Sequence, residues 1–278
     1  MEKFKIVTDS SADVFSLEYV PFSSAPLKII TEENEYTDRA DLDVKTMVDA
    51  LANYKGKSST SCPNPEDWLT CFGDAENVFC ITITGTLSGS YNAALVAKEL
   101  YEEQHPERNV FVINSLSAGP ELKLMIEKLE ELILQQAEYE TICQKITAYV
   151  KQTGLLFMLE SMRNLANNGR VNPVVAKAVG LLGIRIVGKA SDIGDLQPLD
   201  KCRGQEKALT AIVRRMKEQG LATGKVRIAH CFNETAAARL KSMILAQCDK
   251  AKVEIYRCKG LCSFYAEKGG LLVGFEKI

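Results

Sequence analysis

The sequence is poor in the residues that most catalytic and metal sites use. It contains only two histidines, His105 and His230, and neither stands at metal-ligand spacing from cysteines or clustered carboxylates. Its nine cysteines are scattered and form no CxxC pair. The formal net charge of -2 provides no basic stripe for a nucleic acid. We therefore expect neither a metal site nor nucleic-acid binding, although His230, at the end of a predicted strand, remains a candidate.

Membrane and export segments are also lacking. No apolar run approaches the ~20 residues that span a bilayer, and the start MEKFKIVTDS is a charged segment followed by a predicted strand. An odd number of cysteines without a secretory signal is typical of reduced thiols, so we expect a cytoplasmic protein. The 278 residues, 46% hydrophobic and 25% charged, are typical of a globular protein with a large core, arranged in one or, preferably, two domains.

The most informative stretch runs from Val78 to Leu100. Alternating apolar residues predict a strand, and small apolar residues at helical spacing predict a helix, with a Gly/Ser loop around Ser88 between them. In an open α/β sheet such a loop lies at the carboxyl end of its strand, where ligands bind. Hydroxyls and free N–H groups there suit an anion. The loop lacks GxGxxG and a P-loop lysine, so a nucleotide is not indicated. A plain helix start with Ser88 or Ser90 as N-cap is the alternative.

Other hydroxyl-rich stretches adjoin predicted strands and helices. The run from Lys57 to Pro65 contains four consecutive hydroxyl residues and two prolines, which excludes a regular helix or a central strand. Pro65 and the two acids after it open a short helix. Similar loops follow the first strand and a later one, at 8–13 and 114–120. Surface turns are the alternative for each, but together they indicate one binding edge.

The order of predicted elements indicates an α/β fold with two domains. Up to Thr153 strands alternate with helices, which predicts a mostly parallel sheet flanked by helices. After Gly154 the pattern predicts a mixed α/β sheet, with a hairpin near Ile193 and a buried helix over 173–182. We place the domains at 1–153 and 154–278. Asn167-Asn168-Gly169 predicts a tight turn that presents Arg170 from a fixed backbone to solvent.

Five stretches, in order along the whole chain, resemble motifs of the DegV family of bacterial fatty-acid-binding proteins. The segments LSGSY and NNGRV are similar to the most specific of these motifs, LSGTY and KGGRI. The stretches are Ile6–Asp13 (the family's opening), Ser59–Pro63 (its TSQPS loop), Leu87–Tyr91 (LSGTY), Asn114–Gly119 (its DS…G loop) and Asn167–Val171 (KGGRI).

This resemblance implies a function and a set of residues. Family members bury a long-chain acyl group between two α/β domains and hold its carboxylate with loop hydroxyls, here Thr60 or Ser61, and Ser88 with its neighbour Gly89. Some members present the acid to a separate fatty acid kinase, and the arginine implicated in that step corresponds to Arg170. The resemblance implies no cofactor and no catalytic residue, only a long-chain fatty acid as ligand.

Two parts of the chain depart from the family pattern: Arg185-Ile186-Val187 stands where the family has Lys-Pro-Ile, and the C-terminal loop differs as well. Members usually end with a His-containing G-x-H-x-G-P-G loop near the carboxylate. In the matching region, Gly260–Ala266, we expect Cys262 to replace the histidine and to lie near the head group, and the GPG is missing. The departures leave the fold intact but weaken the expectation that a kinase is used.

Two rival functions come from other classes. A hydrolase or acyl transferase would use Ser61 or Ser88 as nucleophile and would need a base such as His230 or Asp9, yet neither serine lies in a GxSxG elbow. A nucleotide-binding regulator would need a phosphate-binding fingerprint. A non-catalytic carrier of fatty acid requires neither feature.

Overall fold

The structure is a computed structural model, and it describes residues 2–172, 183–221 and 223–277. The helix expected over 173–182 lies outside these residues. In the described part of the chain, no helix is long and apolar enough to cross a membrane.

The described strands and helices follow the order expected of an α/β protein. The strands are β1 (Phe4–Asp9), β2 (Phe22–Ala25), β3 (Lys28–Ile30), β4 (Glu35–Thr37), β5 (Ser59–Ser61), β6 (Asn77–Thr82), β7 (Asn109–Asn114), β8 (Thr153–Leu159), β9 (Ile184–Ala190), β10 (Leu196–Arg203), β11 (Lys225–His230), β12 (Lys252–Arg257) and β13 (Leu271–Glu276). The helices are α1 (Val44–Asn53), α2 (Pro65–Phe72), α3 (Ser90–Gln104), α4 (Pro120–Leu134), α5 (Tyr139–Val150), α6 (Arg163–Asn167), α7 (Gln205–Glu218), α8 (Glu234–Leu245) and α9 (Gly260–Ala266).

The N-terminal half contains the predicted parallel sheet, in the order β2-β1-β6-β7. Successive side chains of its strands alternate between two cores. On one face Ile6 and Phe79 pack with α4 and α5, and on the other Val7 and Val78 pack with α2 and α3. Because its strands are parallel, their carboxyl ends lie along one edge, and the hydroxyl loops after β1, β6 and β7 emerge together there.

The C-terminal half contains the predicted mixed sheet, in the order β10-β9-β8-β13-β11-β12. β11 and β12 are parallel, whereas the remaining pairs are antiparallel. One face is covered by α7 and α8 around a large apolar core. The other face, which includes Phe157 and Leu159, packs against α1, α6 and α9. The domain boundary between 153 and 154 remains a prediction.

Sequence patterns did not predict the small antiparallel sheet β4-β3-β5. Lys28–Ile30 is its central strand β3, and Glu35–Thr37 forms the edge strand β4. The hydroxyl run Ser59–Ser61 is the other edge, which agrees with its exclusion from a central strand. This sheet brings Thr60 and Ser61 over the C-terminal half, next to α9.

Helix starts were predicted well where the sequence carries a local cap. Asn64 and Asp67 form a reciprocal capping box around Pro65, and α2 begins at that proline as expected. Gly169 adopts the positive φ of 71° that the Asn-Asn-Gly turn requires. In contrast, Gly260–Ala266 was compared with a loop of the family and is the helix α9.

Candidate ligand site at the strand-end loops

A cavity of about 290 Å³ lies where the hydroxyl loops meet the C-terminal sheet. Its volume is at the low end of the range of small-molecule sites, about 300–1,000 Å³. The wall is mostly aliphatic and aromatic, with polar side chains gathered at the loops. The six residues to which the family resemblance assigned a ligand or partner role all line it: Thr60, Ser61, Ser88, Gly89, Arg170 and Cys262.

A buried carboxylate, Asp9, holds the loops together at the polar end. Its Oδ2 accepts hydrogen bonds from Ile83 N at 2.9 Å and from Ser90 Oγ at 2.6 Å, while its Oδ1 accepts from Ser11 N at 3.2 Å. The side chain is fully buried, and burial raises its pKa, an effect that the hydroxyl and amide donors oppose. Asp9 therefore fixes the loop after β6 against the loop after β1. The sequence predicted a hydroxyl-rich loop here, on the same edge as the Ser88 loop, but not that Asp9 would join the two loops.

Ser88 lies half-buried between Leu87 and the start of α3. Its Oγ accepts a hydrogen bond from Ser90 N at 3.3 Å, which leaves its own O–H available to donate. Gly89 is the N-cap residue of α3, so the alternative that Ser88 or Ser90 is the N-cap residue is wrong. Ser88 instead bonds the first N–H group of the helix from the position before the N-cap. A Cβ at Gly89 would lie 3.2 Å from Cys62 Sγ, and this close approach favours glycine there.

Arg170 does not face solvent as we expected. It is half-buried and lines the cavity, where its Nε donates to Leu87 O at 3.1 Å and its Nη1 donates to Asn168 O. Asn168 Nδ2 in turn donates to Ser58 O at 3.2 Å. The tight turn thus presents the guanidinium inward, where two backbone carbonyls accept two of its five N–H donors and, among the described residues, the others are left for a ligand. The sequence predicted the turn but not that Arg170 would point from it into the cavity.

Tyr265 was missed by sequence reasoning. It lies on α9, lines the cavity, and its hydroxyl is 2.8 Å from Thr60 Oγ1. The helix that carries it is anchored from the N-terminal half: Asp38 accepts from Gly260 N at 2.9 Å and from Leu261 N at 2.8 Å. The two partners Thr60 and Tyr265 are 205 positions apart, and no local pattern connects them.

Cys262 lines the cavity one turn before Tyr265. Its Sγ donates to Ser11 O at 3.3 Å and is 3.4 Å from the position of a Cβ on Gly119. Burial raises the pKa of this thiol well above its usual range, and nearby Asp13 acts in the same direction. The group is therefore a neutral thiol whose proton is directed at a backbone carbonyl. Its role beside a head group remains a prediction.

His230 is not part of this cavity. It is buried at the end of β11, where its Nδ1 accepts from Asn233 N at 3.3 Å, and burial lowers its pKa. Within residues 2–172, 183–221 and 223–277, no histidine or carboxylate is hydrogen-bonded to the hydroxyl of Ser61 or Ser88. The same ranges contain no cluster of His, Cys, Asp and Glu side chains that could hold a metal ion.

The β9–β10 hairpin turn covers the loop after β6. Thr86 Oγ1 donates to Ile193 O at 2.6 Å, and Gly194, at a φ of 83°, lies against Thr84 and Leu116. The next strand begins with Leu196, which lines the cavity. This contact closes one side of the cavity with a segment of the C-terminal half.

Comparisons with known proteins cover the whole chain. The model of a family described as "Uncharacterised protein, DegV family" matches residues 3–277. A DegV domain-containing protein of Streptococcus pneumoniae is 42% identical over 277 residues, covering 98% of this chain and 99% of that protein.

Two solved structures are very similar in fold. A DegV family protein from Eubacterium eligens loaded with heptadecanoic acid has a TM-score of 0.97 and 40% identity, with 99% of this chain and 100% of that chain covered. The Fatty Acid Kinase (Fak) B3 protein of Streptococcus pneumoniae loaded with linoleic acid has a TM-score of 0.98 and 41% identity, with both chains fully covered.

Proposed function

The chain belongs to the DegV family, and on this premise we propose that it binds one long-chain fatty acid in the cavity between its two halves. The carboxylate lies at the loop hydroxyls of Ser61 and Ser88, with Thr60, Gly89 and Arg170 around it. The acyl chain lies among the apolar residues of the C-terminal sheet. The observation that carries the proposal is one cavity with hydroxyls and a guanidinium at one part of its wall and aliphatic side chains over the rest.

The chemistry of this wall suits a fatty acid. Burying a chain of about 15 methylenes at ~0.8 kcal/mol each contributes roughly 12 kcal/mol before association costs are subtracted. The head group then needs only a few donors, and the hydroxyl of Ser88 and the guanidinium of Arg170 supply them. Hydrogen bonds to a charged acceptor contribute about 1.5–3 kcal/mol each. The carboxylate thus fixes the orientation of the ligand while the chain provides most of the affinity.

We propose a carrier rather than a catalyst. The Fak B3 protein, 41% identical, supports the proposal that this chain presents its acid to a fatty acid kinase, with Arg170 at the mouth of the cavity as the contact. The rival serine hydrolase or acyl transferase would need a base beside Ser61 or Ser88, and Asp9, one acid considered for that role, instead accepts a hydrogen bond from Ser90 Oγ. A cytoplasmic location remains a prediction.

The proposal is tested by mass spectrometry of what the protein retains. The purified chain is denatured, extracted, and analysed for fatty acids, in parallel with a variant in which Leu159 on the cavity wall is replaced by tryptophan. We expect a long-chain acid at close to one equivalent from the wild type and much less from the variant. Wild-type protein that carries no acid, and takes up none when heptadecanoic acid is added, would contradict the proposal.

A further inference from the structure

The polar end of the cavity includes a tyrosine, Tyr265, to which the family motifs matched above assign no role. Tyr265 lies on α9 with its hydroxyl 2.8 Å from Thr60 Oγ1, and both side chains line the cavity. A phenol paired with an alcohol retains hydrogen-bonding capacity, because each hydroxyl has one proton and two lone pairs. In this pair one proton forms the mutual bond and the other is left to donate.

The charge around this pair favours an anion. The Arg170 guanidinium lines the same cavity and is close enough to Tyr265 to lower the pKa of the phenol, although burial raises that pKa overall. The phenol is therefore a neutral donor at neutral pH. A neutral donor beside a fixed positive charge suits the carboxylate of a bound acid.

Cys262, the other residue on α9 that could contact the head group, donates its proton to a different partner. Its thiol proton is directed at Ser11 O, on the side of the helix that faces the loop after β1. A thiol is also a weak donor compared with a phenol. Of the two α9 side chains, Tyr265 is the one paired with a hydroxyl of the predicted head-group loops.

We propose that Tyr265 is a specificity-determining residue that recognises the carboxylate jointly with Thr60 and makes the site select an ionised acid over an uncharged ligand of the same length. The inference rests on the proposed function and extends it to the head group. The Thr60–Tyr265 pair joins β5 to α9 across the cavity, so the head group of the ligand contacts both halves of the protein.

The test compares an acid with a neutral analogue of equal chain length. Delipidated wild type, Tyr265→Phe and Thr60→Val are titrated with heptadecanoic acid and with heptadecan-1-ol. Tyr101→Phe is the matched control, because the Tyr101 hydroxyl donates to Ala75 O in the core between α2 and α3, away from the cavity. Since hydrogen bonds to charged acceptors are stronger than those to neutral ones, we expect Tyr265→Phe to lower affinity for the acid about tenfold and to leave the alcohol nearly unchanged.

The variants and the wild type test different parts of the proposal. Thr60→Val should reproduce the loss of selectivity, and Tyr101→Phe should retain wild-type selectivity. Equal losses for acid and alcohol in Tyr265→Phe would overturn the proposal, because they would make the tyrosine a structural tie only. Unchanged selectivity in both cavity variants, or a loss that appears in Cys262→Ser instead, would overturn it too. A wild type that binds neither ligand would refute the proposed function itself.

Discussion

Replacing Ser88 with alanine should weaken acid binding without disturbing the fold. The hydroxyl makes one long intramolecular contact, the 3.3 Å bond it accepts from Ser90 N at the start of α3. Asp9, Ile83 and Ser90 form the network that holds the loop, and none of them is changed. We therefore expect the melting temperature of the delipidated variant to stay close to that of the wild type.

The effect on affinity follows from the charge of the acceptor. A hydrogen bond from Ser88 to a carboxylate contributes about 1.5–3 kcal/mol, which corresponds to a roughly ten- to hundredfold increase in Kd when it is lost. The roughly 12 kcal/mol from the buried chain is unchanged, so binding should persist at higher ligand concentration.

Calorimetric titration of the delipidated protein with heptadecanoic acid measures this loss directly. Ser242→Ala is the matched control, because Ser242 is exposed on α8 and its hydroxyl donates only to Ala238 O. If Ser88→Ala binds the acid as tightly as wild type and Ser242→Ala do, the carboxylate does not lie at Ser88, and the placement of the head group is wrong.

Three further perturbations examine other parts of the site. Arg170→Ala should lower both the affinity for the acid and acyl-phosphate formation by a fatty acid kinase, because the guanidinium lines the cavity. Titration and kinase rates at equal lipid load would measure the two effects, and a loss of kinase rate alone would show that the guanidinium does not contact the acid. Thr86→Val removes the 2.6 Å hydrogen bond to Ile193 O, which contributes about 0.5–1.5 kcal/mol. The dissociation rate of the ligand, measured by stopped-flow displacement, should therefore rise several-fold. An unchanged rate would mean that the hairpin does not restrict the exit of the ligand. Burial raises the pKa of Asp38 from 3.8 to about 6, so between these values the folded state holds a proton that the unfolded state releases. In urea unfolding, wild type should lose about 2 kcal/mol relative to Asp38→Asn as the pH rises from about 4 to about 6, and a pH-independent difference would contradict this.

Features encoded within a few residues were predictable from the sequence. Pro65 and the two acids after it identified the start of α2. The alternation in β6 and the helical spacing in α3 placed Ser88 at a strand end. The parallel direction of the strands in the N-terminal sheet followed from the alternation of strands and helices along the chain. Family motifs then indicated which hydroxyls lie together, and the structure places them on one cavity.

Features that depend on distant partners were not predictable. The strands β3, β4 and β5 have three residues each, too few for a pattern, and they form only because they pair with one another. Helix α9 lacks a side-chain cap of its own, and Asp38, 222 positions before Gly260, satisfies its first N–H groups. Arg170 likewise points inward because its Nε donates to Leu87 O, a partner distant in the sequence.

The acid should lie with its carboxylate at the loops and its chain toward the C-terminal sheet. A crystal structure with an acid that carries bromine on its terminal carbon would determine this orientation, because anomalous scattering locates that end. We expect the carboxylate within hydrogen-bonding distance of the Ser61 or Ser88 hydroxyl and the bromine among aliphatic side chains such as Leu155 and Leu159. Bromine beside Ser88, or an acid bound outside the cavity, would contradict this expectation.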